Sequence, residues 1–512
     1  MKKLFRIVFS RTAVIVLLLL LQIGVLVLTF GYLSEYTQYA YFYFTALSFI
    51  VMLYILNRNE NPAFKLTWMI VVLIIPVFGV LMYLFVQLSP GSKLTNMRHR
   101  TLIQHSASFL KQDPDTEKQL RAECPQVATT VHYMNHFGGF PIYKNTEVKY
   151  YPLGDDMFPD LLEALEKAES FIFMEYFIVA DGRMWDTIRN VLIKKAKQGV
   201  EVRFMYDGMC SLVLLPYNYA KTLQKYGIQC KPFSQVRPAL STVQNNRDHR
   251  KITVIDGHTA FTGGINLADE YINEKVVYGH WKDTGVALYG DAVKSFTIMF
   301  LQMWNITEKK EDMYGNYITD AFRRDIHRPG FGYVMPYGDS PLDNESVGEM
   351  IYMDIIQHAA RYVHIMTPYL ILDNEMQTAL THAAKCGIEV IIIMPHIPDK
   401  LYAYLLARTY YPALIRAGVK IYEYTPGFVH AKVFTSDDCK AVVGTINLDF
   451  RSLYLHFECA VYMYRNTEIQ TIERDFQETL KQCQEITLDN CRRYPVFKKL
   501  AGRILRLIAP LM

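Results

Sequence analysis

One constellation of charged residues occurs twice in this chain, and that repetition constrains the possible folds more than any other feature. His249-Arg-Lys251-Ile-Thr-Val-Ile-Asp256 recurs as His430-Ala-Lys432-Val-Phe-Thr-Ser-Asp437, with the spacing HxKxxxxD both times. With each charged residue type at roughly 6% of an ordinary chain, a given His has about one chance in three hundred of Lys at +2 and Asp at +7. Across 14 histidines, two such matches do not arise by accident.

The copies agree beyond the motif. Gly263-Gly-Ile-Asn266 follows the first at the same distance as Gly444-Thr-Ile-Asn447 follows the second, and upstream Ala196-Lys-Gln-Gly199 parallels Ala384-Lys-Cys-Gly387. The period is too long for a solenoid, so the chain reads as two similar domains packed as a pseudo-symmetric pair. Within them strands alternate with helices: strand 170–179, helix 184–198, strand 200–206 and motif strand 250–255 in the first half. The second half has strand 362–366, helix 375–385, strand 389–394, helix 405–416 with Pro412 expected to kink or split it, strand 420–424 and its motif strand. Alternation at this length indicates an α/β layered fold. The expected domains are 141–305 and 346–490, joined by a linker at 306–345 and preceded by a connecting segment at 91–140.

Residues 1–90 have a different character. Residues 13–33 are almost wholly apolar and follow Lys2, Lys3, Arg6 and Arg11, and about 20 apolar residues suffice to span a bilayer. A signal peptide is the competing reading, but its apolar region is about 7 to 15 residues long and needs a small-residue cleavage site. Further candidate spans are 41–56 and 66–88, the latter holding Pro76 and Gly79. A transmembrane region of two or three helices is therefore expected. Basic residues at the start and at Arg58 and Lys65 place those segments in the cytoplasm by the positive-inside rule. Lys93, Arg98 and Arg100 leave the side of the later domains open. The eight cysteines have no metal-ligand spacing, and a net charge of +4 is no argument for a polyanionic partner.

On an extended strand residues two apart share a face, so each motif presents an imidazole and an ammonium together. If the halves face each other, His249, Lys251, His430 and Lys432 converge, with Asn266 and Asn447 as further donors, unless those two merely close turns. Such a site suits a phosphate. The lysines neutralise its oxygens, one neutral His attacks phosphorus, and the other serves as acid and base. No metal or other cofactor is required by this scheme. Each His needs a carboxylate to fix its tautomer. Asp283 and Glu458 occupy matching places beyond the motifs, with a plain salt bridge as their alternative role. Asp256 and Asp437, at an odd offset from their His, are expected to point away and hold the backbone.

These residues resemble the phospholipase D superfamily, marked by paired HxKxxxxD motifs followed by GxxN. The segments Gly263-Gly-Ile-Asn-Leu-Ala-Asp-Glu-Tyr271 and Gly444-Thr-Ile-Asn-Leu-Asp-Phe-Arg-Ser-Leu453, with Thr367-Pro-Tyr369 and the apolar N-terminus, are similar to those of its bacterial cardiolipin synthases. The resemblance implies two phospholipase D-type domains and a multi-pass enzyme of the bacterial cytoplasmic membrane. It also implies transfer of a phosphatidyl group between two phosphatidylglycerol molecules, giving cardiolipin and glycerol through a phosphohistidine. His249, Lys251 and Asp256, with His430, Lys432 and Asp437, are the catalytic triplets it implies. Gly264 stands where the second copy has Thr445, which removes one hydroxyl expected to tune phosphate contacts. A hydrolase with water as acceptor, or another phosphatidyltransferase, is the alternative. A nuclease or other nucleic-acid partner lacks the basic track it would need.

At the C-terminus, a helix over 496–511 places Lys498, Lys499, Arg503 and Arg506 on one arc and Phe497, Leu500, Ile504, Leu507, Ile508 and Leu511 on the other. Such a helix at 491–512 lies in a headgroup layer or covers the core with its apolar face. The sequence leaves both open.

Overall fold

The computed structural model describes residues 20, 24, 37–87, 90–208, 214–216, 218–234, 246–318, 330–343 and 345–511. One compact unit comprises 96–235 and 246–506. Its first half contributes β1 (Thr146–Tyr151), β2 (Phe171–Tyr176), β3 (Glu201–Asp207), β4 (Gln229–Phe233), β5 (Ile252–Ile255), β6 (Thr259–Gly263), β7 (His280–Lys282) and β8 (Gly285–Gly290). The second half contributes β9 (Tyr333–Asp339), β10 (Tyr362–Met366), β11 (Glu389–Pro395), β12 (Lys420–Tyr424), β13 (Gly427–Val429), β14 (Val433–Ser436), β15 (Lys440–Gly444), β16 (Glu458–Tyr464) and β17 (Cys483–Ile486).

The two large sheets repeat one design. The first runs β1-β8-β6-β5-β2-β3-β4 and the second β9-β16-β15-β14-β10-β11-β12, with β17 added at its edge. In both, the three strands entered through helices pair in parallel and the hairpin strands pair antiparallel. β9 lies inside the stretch read from the sequence as linker, because it pairs with β16 along its whole length.

Two helices sit between the sheets and explain why the halves stay together. Val293–Asn305 buries every residue except Lys294, and its Phe300 stacks on Phe173 with ring centroids 4.8 Å apart. Its counterpart Glu468–Leu480 buries Ile469, Ile472 and Phe476. Side chains from both halves, among them Phe173, Met299, Val334, Ile393, Val443 and Phe476, form one continuous core. Burying side chains of this size stabilises the fold by about 1.5–3 kcal/mol each. Pro412 splits the expected helix 405–416 into Leu401–Ala407 and Tyr411–Ala417, with the proline in the first turn of the second piece.

The motif histidines and lysines are not on strands as expected. His249 and Lys251 precede β5, and His430 and Lys432 precede β14. Their backbone is instead paired across the halves. His249 N donates to Phe457 O (2.9 Å) and Phe457 N to Arg247 O (2.8 Å). β13 runs parallel to β7, and His430 N donates to Lys282 O at 2.7 Å.

The other unit holds the N-terminal helices Thr37–Leu56, Pro62–Ile74 and Pro76–Gln87. The candidate span 13–33 lies outside the described residues apart from Leu20 and Gly24. The candidate span 66–88 is not one helix: Ile75 leaves helical geometry and Pro76 starts a new segment, since proline lacks an N–H and clashes with the preceding turn. Among the described residues no helix is long and apolar enough to cross a membrane. Val51, Ile55, Trp68, Val72, Val80 and Tyr83 form the small core of this unit. Phe42, Ile50 and Ile74 remain exposed.

Candidate active site

The motif aspartates close the far ends of their segments. Asp256 (φ 50°) accepts hydrogen bonds from the backbone N–H groups of Glu169, Ser170 and Phe171 at 2.7–2.8 Å. Asp437 (φ 55°) does the same for Ala360, Arg361 and Tyr362 at 2.7–3.0 Å. Asp tolerates this left-handed backbone better than most residues. Both carboxylates thus anchor the start of β2 or β10, away from the imidazoles. This is the backbone-holding placement expected from their odd offset to the histidines; only the resemblance groups them with the catalytic triplets.

His249 and His430 meet their carboxylates across the internal dyad. His249 Nδ1 lies 2.9 Å from Glu458 Oε2, and His430 Nδ1 lies 2.6 Å from Asp283 Oδ2. Each half therefore orients the other half's imidazole. With Nδ1–H given to a carboxylate, the lone pair of a neutral ring sits on Nε2, and that nitrogen is left to react. Lys251 Nζ donates to the His249 carbonyl at 2.6 Å, and Lys432 Nζ donates to the His430 carbonyl while lying 2.8 Å from His430 Nδ1.

The centre is buried: the two histidine side chains are 8% and 10% exposed, and both lysines are buried. Burial sets the protonation states. It holds both imidazoles well below their usual value, with Lys251 adding to the effect on His249 and both lysines to that on His430. Burial also lowers Lys251 to about 8 and Lys432 to about 7, with Lys251 further depressing Lys432. Asp283 is pushed up to about 6 by burial against the pull of Lys432. Like charges crowded in a buried site resist ionisation until an anion joins them.

The asparagines behave differently from each other. Asn266 is spent internally, its Oδ1 accepting from Ile178 N at 2.9 Å and its Nδ2 donating to Tyr271 OH at 2.8 Å. The bond to Ile178 spans 88 residues of chain, so Asn266 ties the GxxN segment to the stretch after β2 rather than closing a local turn. Asn447 Oδ1 is buried and meets no hydrogen-bond donor among the described residues. Thr445 does not reach outward either: its hydroxyl donates to Glu458 Oε2, the oxygen that holds His249. At the equivalent Gly264 a Cβ would overlap Asp283 Oδ1, so the missing hydroxyl there makes room for the shorter carboxylate.

Two ring residues went unnoticed in the sequence. His456 and Trp281 each stand two positions before the orienting carboxylate, and each packs 5.5 Å from an imidazole, His249 and His430 respectively. The signal was an aromatic or imidazole ring at the same offset in both copies. A ring nitrogen of His249, one of His456 and a Glu458 oxygen lie within 4.8 Å of one another, a donor set that suits a divalent transition metal. Glu458 is already bonded to His249 through Oε2, so a cation drawing on this carboxylate would compete with the orientation of His249.

The family described as cardiolipin synthase, PLD-like domain, matches residues 161–304 and 352–480, one match to each half and together more than half of the chain. The chain belongs to this family. A phospholipase D-nuclease N-terminal family also matches 46–87. Cardiolipin synthase 2 of Bacillus anthracis is 34% identical over 92% of this chain and 91% of that protein. An uncharacterized protein of Streptococcus mutans is 49% identical over 90% of this chain and 99% of that one. Among solved structures, phosphatidylserine synthase from Haemophilus influenzae superposes with a TM-score of 0.56 at 13% identity, covering 75% of this chain and all of that one, a likeness of fold. Both PLD-like matches contain their half's HxKxxxxD segment, GxxN turn and orienting carboxylate.

Proposed function

We propose that this member of the PLD-like cardiolipin synthase family transfers a phosphatidyl group from one phosphatidylglycerol to the free glycerol hydroxyl of another, yielding cardiolipin and glycerol. The observation that carries the chemistry is the crossed pairing of His249 with Glu458 and His430 with Asp283. It frees both Nε2 atoms and makes neither half complete alone. The entering phosphodiester adds a negative charge beside those of the orienting carboxylates, which favours charged lysines and protonation of one imidazole. The other imidazole attacks phosphorus through Nε2. As the P–N bond forms, the P–O bond to the departing glycerol breaks and the protonated imidazole gives that alkoxide its proton. The second phosphatidylglycerol then loses its hydroxyl proton to the same imidazole and its oxygen displaces the phosphohistidine. His249, Lys251, His430 and Lys432 carry these roles in the proposal, and Asp283 and Glu458 orient the rings. Asn447, with its uncommitted oxygen, is the better of the two asparagines for a substrate contact.

The proposed location is the bacterial cytoplasmic membrane, with the N-terminal region as a multi-pass anchor. Supporting this are the apolar run 13–33, the N-terminal family match at 46–87 and the exposed apolar side chains of the described helices.

Purified protein incubated with labelled phosphatidylglycerol is expected to release cardiolipin and glycerol. Phosphatidic acid and glycerol as the main products would instead establish hydrolysis. His249→Ala and His430→Ala are each expected to cost at least about a thousandfold in turnover, and chelators are expected to leave the wild-type rate unchanged.

A further inference from the structure

A cavity of about 420 Å³ lies in the second half, and none of the motif residues lines it. Its wall carries six cations: Arg408, Arg416, Arg492, Lys499, Arg503 and Arg506. Only two of them have a carboxylate partner among the described residues, Arg408 with Glu423 at 2.8 Å and Arg492 with Asp489 at 3.1 Å. Arg506 lies over the Tyr410 ring and contacts Gln377, and Lys499 donates to the Arg492 carbonyl. A concave surface holding this excess of positive charge is suited to an anion.

What the cavity adjoins identifies the anion. Three of its cations come from the C-terminal helix Val496–Ile508. Gly502 of this helix faces the Leu405 carbonyl so closely that a Cβ would overlap it, which fixes the rotation of the helix against Leu401–Ala407. At 3.6 residues per turn, Lys499, Arg503 and Arg506 then fall beside the packed stripe and line the cavity. Phe497, Leu500 and Ile504 fall on the next face and are 87%, 55% and 56% exposed. This decides between the two sequence readings of the helix: its apolar face does not cover the core. A cationic cavity flanking an outward apolar stripe matches the layering of a lipid monolayer, with phosphate above acyl chain.

We propose that this cavity binds the headgroup phosphate of an anionic membrane phospholipid, at a site separate from the reaction centre, while the Phe497–Leu500–Ile504 face enters the acyl layer beside it. The site holds a lipid without transforming it, since it contains no nucleophile paired with a base. It sets the second half against the membrane surface on which the proposed substrates reside.

The test uses full-length His249→Ala protein, which does not consume lipid, in neutral detergent micelles. Amide exchange of segments 405–416 and 488–506 is followed as phosphatidylglycerol or phosphatidylcholine is added. Phosphatidylglycerol is expected to protect both segments and phosphatidylcholine is not. Arg416→Gln with Arg503→Gln, two exposed cations without ion-pair partners among the described residues, is expected to raise the half-saturating lipid fraction roughly thirtyfold, about fivefold for each charge. Leu500→Gln with Ile504→Gln, on the outward face, is expected to weaken protection while leaving the cations in place. Equal protection by phosphatidylcholine, or by inorganic phosphate alone, would overturn the proposal. So would protection unchanged in the arginine variant, or protection that tracks protein concentration rather than lipid.

Discussion

Asp283 and Glu458 show how one residue difference propagates through a symmetric site. The shorter Asp283 reaches His430 because Gly264 leaves space for it, while the longer Glu458 is held by the Thr445 hydroxyl. Gly264→Ala is therefore expected to displace Asp283 and lower kcat by roughly a hundredfold, the scale of losing an orienting partner, with the circular dichroism spectrum unchanged. The burial shifts set a pH window. Asp283 loses its charge as pH falls through about 6, and Lys432 and Lys251 lose theirs as pH rises through about 7 and 8. A pH profile of kcat/KM, which reports the free enzyme, is expected to be bell-shaped between those limits. Asp256→Ala separates scaffold from chemistry. It orphans three backbone N–H groups, at about 1–3 kcal/mol for each one left buried, so Tm is expected to fall markedly. The motif residues were legible from spacing alone. Which carboxylate serves which histidine was not, because the pairings span 209 and 147 residues of chain and depend on how the halves dock.

Secondary structure elements were legible where one period dominates. The expected strands at 200–206 and 389–394 fall on β3 and β11, and the expected break at Pro412 is present. The misses have physical causes. The motif histidines lie just before their strands, because their backbone bonds to Phe457 and Lys282 of the opposite half rather than extending the sheet ladder. β9 was hidden in a stretch rich in Gly and Pro, and only its partner β16 reveals it. The helix Val293–Asn305 is buried almost all round, so it has no polar face to mark it as the layer between two sheets. Phe300→Ala in this helix is expected to cost about 3–5 kcal/mol, read as a drop in the urea midpoint. A surface substitution such as Lys167→Ala should change it little.

At the scale of the whole molecule, duplication produces a centre that neither copy owns. Lys282 of the first half donates to Asp475 of the second at 2.7 Å, and Tyr150 shares the same carboxylate, so the clamp around the imidazoles continues into the interdomain helix. The pseudo-dimer was legible because the copies retain their motifs, whereas the apolar N-terminal region was legible only as composition. Its candidate span 66–88 breaks at Pro76, a feature that hydropathy averages over.

The most direct measurement is the stoichiometry and position of the covalent intermediate. Wild-type protein is mixed with phosphorus-labelled phosphatidylglycerol, quenched in denaturant within a turnover, and its label mapped by peptide mass spectrometry. A single shared centre requires at most one phosphatidyl group per chain, always on the same one of His249 and His430. Label on both histidines, with each single alanine variant keeping about half the turnover, would mean two independent sites and would contradict the crossed arrangement.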